Sequence, residues 1–194
     1  MQKKENITGI ILAGGKSSRM GSDKSLLTYN KEPFIQHVIN AMKPLVEDII
    51  IVSNYMVHDK FGYKRVEDIF KDSGPVAGIH SGLSHSSTDY NLVLSCDIPL
   101  IKTEILEILI HSDYTNYDVV QIQIGEKTMP LIALYHKRCA HKCLELLQND
   151  ERRLLEAVKQ LNTKSIIINS QWEDFVKNVN TIDDLKEIEY AVKH

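Results

Sequence analysis

The chain has 194 residues, 43% hydrophobic and 25% charged, with a formal net charge of −3. That length can bury a substantial core, and the balance lacks the basic surplus of a general nucleic-acid binder. No apolar run approaches the ~18 residues that a membrane span needs. In chain order, Ile7–Leu12 is a short apolar strand whose run breaks at Gly14 and Gly15, so despite the basic start MQKKEN no signal peptide is expected and a cytoplasmic protein is. Phe34–Leu45 has helical spacing, and Asp48–Ser53 is a continuous apolar run suited to a strand buried on both faces. Tyr63–Val66 is a shorter strand. Pro75–Ser86 is a helix with proline in its first turn, and Tyr90–Ser95 is another buried strand. Thr103–Ser112 is a helix, and the strands Asp118–Ile124 and Met129–Tyr135 form a hairpin around Gly125–Thr128. His136–Gln148 and Arg152–Leu161 are helical, Ser165–Asn169 is a late strand, and Thr181 caps a terminal helix reaching Val192. This alternation predicts a three-layer α/β fold with a mixed sheet. Cys96, Cys139 and Cys143, an odd set without an export signal, read as reduced thiols.

The stretch ILAGGKSSRMGSDKSLL, Ile11–Leu27, begins at the end of the first strand and carries three glycines. Loops at the carboxyl ends of strands are where open α/β sheets bind ligands, and glycines there let backbone amides approach a phosphate. Gly14, Gly15 and Gly21 would supply the approach, Arg19 and Lys24 the charge. The spacing fits neither the dinucleotide fingerprint nor the P-loop, whose glycines fall elsewhere. By composition alone, a nucleotide loop and an exposed turn both remain open.

The order of residues narrows this. Leu12-Ala13-Gly14-Gly15-Lys16-Ser17-Ser18-Arg19-Met20-Gly21-Ser22-Asp23-Lys24-Ser25-Leu26-Leu27 resembles the signature of the molybdenum cofactor guanylyltransferases, within the larger nucleotidyltransferase family. Sugar and isoprenoid nucleotidyltransferases more often carry L-A-A-G and Pro-Lys, so Gly14-Gly15 and Asp23-Lys24 favour the molybdopterin branch. Further blocks come in the family's order: Glu67-Asp68 with Gly74-Pro75-Val76-Ala77-Gly78-Ile79, then Cys96-Asp97-Ile98-Pro99, then Met129–Tyr135, then Asp150-Glu151-Arg152-Arg153, then Asn178-Val179-Asn180-Thr181 with Asp184-Leu185. Two depart from the pattern: Asp150 replaces the glycine of "GERR", and Ile182-Asp183 replaces Pro-Glu in "NTPEDL". Neither removes a charge, so they bear on local geometry.

The resemblance implies one three-layer Rossmann-like nucleotidyltransferase domain over residues 1–194, with a mostly parallel mixed sheet and helices on both faces. Its N-terminal half would bind the nucleotide and its C-terminal half mainly the acceptor. It implies transfer of GMP from GTP to the terminal phosphate of molybdopterin, with release of pyrophosphate. A phosphate monoester has a second pKa near ~6, so the nucleophile is largely ionised and needs no serine–histidine pair. The need is electrostatic, for cations and a metal around two polyanions. The resemblance makes Asp97 the Mg²⁺ ligand, with Arg19 and Lys24 on the GTP phosphates. Leu12, Ala13 and Gly14 would hold the guanine and ribose side mainly through backbone groups, and Gly15 would belong to the same nucleotide-binding set. Asp68 would bind the nucleoside, and Gly78 and Gly82 would either admit the base or serve close packing. Arg152, Arg153, Asn178 and Asn180 would face the acceptor, with Asn180 also a helix-entry residue. Delivery proteins and recipient molybdoenzymes are the expected partners, with no nucleic acid and no membrane. The alternatives are another base or acceptor, such as CTP with molybdopterin or a sugar phosphate, or a non-catalytic cofactor-binding role. His136, Cys139 and Cys143, at i, i+3 and i+7, would share one helix face, but a structural zinc site takes four ligands, and a partly buried face is the better reading.

Overall fold

Successive side chains of a strand point to opposite faces, so a strand that is apolar throughout needs cover on both sides. The computed structural model describes residues 6–14, 24–181 and 183–187, and its sheet meets that need. The elements are β1 (Ile7–Leu12), a 3-10 turn (Lys24–Leu26), β2 (Thr28–Tyr29), β3 (Glu32–Pro33), α1 (Phe34–Met42), β4 (Asp48–Val52) and a 3-10 turn (Met56–Phe61). After these come β5 (Lys64–Val66), α2 (Gly74–His85), β6 (Tyr90–Ser95), α3 (Thr103–Ile110), β7 (Val119–Ile124), β8 (Lys127–His136), α4 (Cys139–Gln148), α5 (Leu154–Lys159), β9 (Thr163–Ile167) and a 3-10 turn (Ser170–Val176).

Seven strands form one sheet in the order β5-β4-β1-β6-β8-β7-β9, and only β8 runs against the rest. The two-residue turn Gly125-Glu126, with Gly125 at φ +55°, leaves β7 no way to continue except antiparallel. On one face Ile7, Ile11, Ile49, Ile51, Leu92 and Leu94 pack with Ile35, Val38 and Met42 of α1 and with Ile105, Leu106 and Leu109 of α3. On the other, Ile10, Leu12, Ile50, Val52 and Val93 pack with Val76, Ile79 and Leu83 of α2, Cys139, Cys143 and Leu146 of α4, and Ala157 and Val158 of α5. The expected three-layer, mostly parallel mixed sheet is therefore what forms. No helix among the described residues is long and apolar enough to cross a membrane.

Several boundaries differ from the sequence reading. α1 stops at Met42 because Pro44 has no N–H to continue the ladder. His136 is not helical: it ends β8, paired opposite Tyr90, and α4 begins at Cys139. His136, Cys139 and Cys143 therefore do not share a helix face. Burial pushes the Cys139 and Cys143 thiols up to about 12, as expected of core thiols rather than ligands. The second late helix shortens to Leu154–Lys159, β9 begins earlier, at Thr163, and Tyr63 lies outside β5. The hairpin of β2 and β3, turning through Asn30 and Lys31 at positive φ, is too short for any periodic signal. Residues 183–187 are helical, and Thr181 Oγ1 accepts the Asp184 N–H at 3.0 Å while Asp184 accepts the Thr181 N–H at 2.9 Å, a reciprocal N-cap. Residues 188–194 lie outside the described residues.

Two glycines let helices press on the sheet. A side chain at Gly9 would collide with Met42 of α1, and a Cβ at Gly82 would stand 2.5 Å from Ile10 Cγ2 and 3.3 Å from Val52 Cγ2. Gly82 thus serves packing, the second of its two expected roles. Gly82→Ala should destabilise the protein: the overpacking cost of about 1–3 kcal/mol exceeds the helix-propensity gain of about 1 kcal/mol, because Ile10 is fully enclosed. The check is a lower denaturant midpoint with an unchanged slope.

Candidate active site

The strand register brings Leu12, Val52 and Ser95 level, since Leu12 pairs with both neighbours. Amides beyond the strands extend the ladder: Ala13 N–H donates to the Val52 carbonyl at 2.9 Å, Ser53 N–H to Val66 at 2.9 Å, and Cys96 N–H to Leu12 at 3.1 Å. Between β1 and β6 the chain's connections part in opposite directions, which leaves a crevice at the carboxyl ends. A cavity of about 490 Å³ occupies it, an ordinary size for a small-molecule site. Leu12 and Gly14 line it after β1, Asn54 and Tyr55 after β4, Asp68 and Asp72 after β5, Ser95 and Asp97 after β6, with Leu131 from β8. Gly74, Pro75 and Gly78 bring in the N-terminus of α2, whose free amides and dipole favour an anion.

Asp68 lies between two glycines. A Cβ on Gly14 would be 3.4 Å from its Oδ2, and one on Gly78 would be 3.7 Å from its Oδ1 and 3.1 Å from Leu12 Cδ2. The Asp68 N–H is anchored on Asn54 Oδ1 at 3.1 Å. Its Oδ1 is buried with no hydrogen-bond partner among the described residues. Burial raises the Asp68 pKa above the usual carboxylate range, a hydrogen bond from Asn54 opposes the rise, and the charge of Asp72 adds to it. A buried acceptor left in that state fits a ligand that brings an N–H or O–H donor.

Asp97 sits across the cavity. Its carbonyl accepts the Val179 N–H at 2.7 Å, and Val179 is fully buried, so the neighbouring Asn178 is held on the rim. Asn178 also borders an adjoining hollow of about 460 Å³ with Lys127, Lys177, Asn180 and Asp184. The Asn180 N–H donates to Asp184 Oδ2 at 2.7 Å, so Asn180 is a helix-entry residue as well as a lining one. Among the described residues no three His, Cys, Asp or Glu side chains gather to hold a metal. Asp97, with Oδ1 buried beside the cavity, offers the single-carboxylate setting that Mg²⁺ accepts when phosphates and waters complete its shell.

Of the expected site residues, the cavity unites Leu12, Gly14, Asp68, Gly78, Asp97 and Asn178. Ala13 is buried in the core, with its amide engaged by the sheet. Arg152 pairs with Asp150 at 2.8 Å and Arg153 with Glu151 at 2.7 Å, both exposed and away from the cavity lining, although the Arg152 carbonyl approaches Gly74. Gly15 and Arg19 lie outside the described residues, and of Lys24 only the backbone is described, at the start of its 3-10 turn. Asn54, Tyr55 and Asp72 are additional lining residues. Asn54 had a signal in the sequence: it comes just past a buried strand's carboxyl end, as Gly14 and Asp97 do.

Residues 9–165 match the model of the MobA-like NTP transferase domain. The chain belongs to that family. It is 35% identical over 184 residues to a protein of Flavobacterium johnsoniae named probable molybdenum cofactor guanylyltransferase, covering 95% of this chain and 97% of that one. It is 36% identical to the molybdenum cofactor guanylyltransferase of Vibrio parahaemolyticus, covering 92% of each. A crystal structure of molybdopterin-guanine dinucleotide biosynthesis protein A from Archaeoglobus fulgidus superposes with a TM-score of 0.80 at 24% identity, over 97% of this chain and 100% of that one, a likeness of fold. The MobA-like fold thus accounts for the crevice.

The raised Asp68 pKa gives a stability test. A carboxyl whose folded pKa lies above its unfolded value favours folding below the unfolded pKa and loses that contribution as pH rises through the folded one. Asp68→Asn should therefore melt above the wild type at neutral pH, and the gap should narrow as pH falls through the ordinary carboxylate range.

Proposed function

We propose that this chain transfers GMP from GTP to the terminal phosphate of molybdopterin, forming the guanine dinucleotide cofactor and pyrophosphate. The observation that carries the reading is that one cavity joins Asp68, between Gly14 and Gly78, with Asp97 at the crevice of a MobA-like fold. Relatives named for this activity match over more than nine-tenths of the chain, which supports guanine as the base and molybdopterin as the acceptor.

In this reading the buried Asp68 carboxylate accepts from the nucleoside, and the N-terminus of α2 faces anionic parts of the ligand. Leu12 gives the cavity an apolar wall, and Gly14 and Gly78 leave room for the nucleoside beside Asp68. Lys24 and Arg19 hold the triphosphate, and Asp97 is the residue that would hold Mg²⁺. Mg²⁺, when bound, neutralises charge on the phosphates as pyrophosphate departs. Asn178, which borders both hollows, and Asn180, which lines the second, bind the acceptor, with Arg152 and Arg153 as further acceptor contacts. The acceptor phosphate attacks the α-phosphorus of GTP, a new P–O bond forms and the bond to pyrophosphate breaks. Because that phosphate is already ionised, no side chain has to remove a proton from it. The proposed setting is the cytoplasm, with transient contacts to proteins that deliver molybdopterin and receive the product.

Pyrophosphate release should require GTP and molybdopterin together and should stop on addition of a chelator, returning with excess Mg²⁺. Strong preference for CTP or ATP in the same assay would overturn the guanine assignment. Asp97→Ala should lower turnover by about 10²–10³-fold, and unchanged turnover would remove Asp97 from the reaction.

A further inference from the structure

A buried hydrogen-bond bridge ends on Ser53, one residue before the cavity-lining Asn54, and the transfer chemistry does not use it. The Ser25 hydroxyl is 2.5 Å from His58 Nε2, and His58 Nδ1 is 2.6 Å from the Ser53 hydroxyl. All three residues are completely buried. Ser53 Oγ also accepts the Tyr55 N–H at 3.0 Å, and the imidazole stacks on Phe61 with Tyr55 at its edge. Serine beside histidine is the pairing of a hydrolase nucleophile, but here both ring nitrogens are engaged and neither hydroxyl reaches solvent, so neither can meet a substrate.

The bridge joins segments that are distant in sequence. Ser25 is next to Lys24, and Ser53 precedes Asn54 and Tyr55, both of which line the nucleotide cavity. Adjacent Cα atoms are about 3.8 Å apart, so anchoring Ser25 confines the backbone of Lys24 to within one residue of the anchor. An apolar side chain of similar shape would fill the same space without needing two partners. A fully satisfied polar bridge instead fixes one geometry among its segments. Ser53 is itself held by its N–H to the Val66 carbonyl, so the bridge ends on the sheet.

We propose that His58 is a positioning residue: through Ser25 it sets Lys24 against the sheet end that carries Asn54, and so sets the grip on the triphosphate. The inference rests on the proposed role of Lys24. The test is equilibrium titration of GTP, inorganic triphosphate and guanosine against His58→Asn, His58→Gln, Ser25→Ala and Lys24→Ala, with melting temperatures measured alongside. An asparagine amide reaches the Nδ1 position only, whereas a glutamine amide reaches the Nε2 position that meets Ser25. His58→Asn and Ser25→Ala should each weaken GTP and triphosphate binding by about tenfold, leave guanosine unchanged, and not add when combined. His58→Gln should hold triphosphate nearly as the wild type does. Loss of melting temperature with triphosphate affinity intact, or equal losses for guanosine and triphosphate, would reduce the bridge to a fold pin and overturn the inference. If Lys24→Ala weakens GTP but Ser25→Ala and His58→Asn do not, only the role of His58 fails. If Lys24→Ala changes nothing, the reading of Lys24 fails and this inference with it.

Discussion

The shared register of three parallel strands is the constraint on which the site depends. Leu12 pairs at once with Val52 and Ser95, and the amides of Ala13, Ser53 and Cys96 carry the ladder one residue past each strand. Because those strands end level, their loops open on the same side, and Gly14, Asn54 and Asp97 meet although they are 40 or more positions apart in sequence. A slip of one residue in β1 would turn Ile10 and Leu12 toward the wrong face and separate these groups as well. Packing and function are therefore fixed by the same hydrogen bonds.

The site keeps polar groups in places where a stable fold would not choose them. Asp68 is held with a buried oxygen unpartnered among the described residues, and its raised pKa records the cost of keeping charge there. Away from the cavity, Asn91 Oδ1 and Gln121 Oε1 are also buried without a partner among the described residues, while other buried polar groups are satisfied. Thr8 and Thr88 bond to each other at 2.8 Å, and Lys64 and Lys137 bond the carbonyls of His85 and Ser86 at the C-terminus of α2. Asp68, unlike Asn91 and Gln121, lines the cavity, where a ligand can bring the donor that its buried oxygen lacks. Helix α2 links the two regimes, with lysines closing one end and the cavity at the other.

Much of this was legible in the linear chain. Continuous apolar runs such as DIIIV and YNLVLS announced strands covered on both faces, and the glycine-rich signature with its downstream blocks marked Leu12, Gly14, Asp68, Gly78 and Asp97. Asn54 escaped because it belongs to no block, and Tyr55 and Asp72 because side chains become lining only when loops converge. His136 was misassigned to a helix because a histidine at a strand end carries no signal of period, and its place is set by pairing with Tyr90. Arg152 and Arg153 were marked by resemblance, and their exposed pairing with Asp150 and Glu151 is a local arrangement that the motif alone does not show.

By itself the sequence determined the layers, the order of elements and the chemical kind of the site. Those arise from local periodicity, from glycines and prolines at turns, and from short motifs, all of which are properties of neighbouring residues. Only the tertiary structure decided that Asp68 stands between Gly14 and Gly78, that Asp97 is tied to Val179, and that Ser25, Ser53 and His58 close into one buried bridge. Those relations depend on sheet register and on which face each side chain enters, and contacts across such distances in sequence are set by the packing of the whole core.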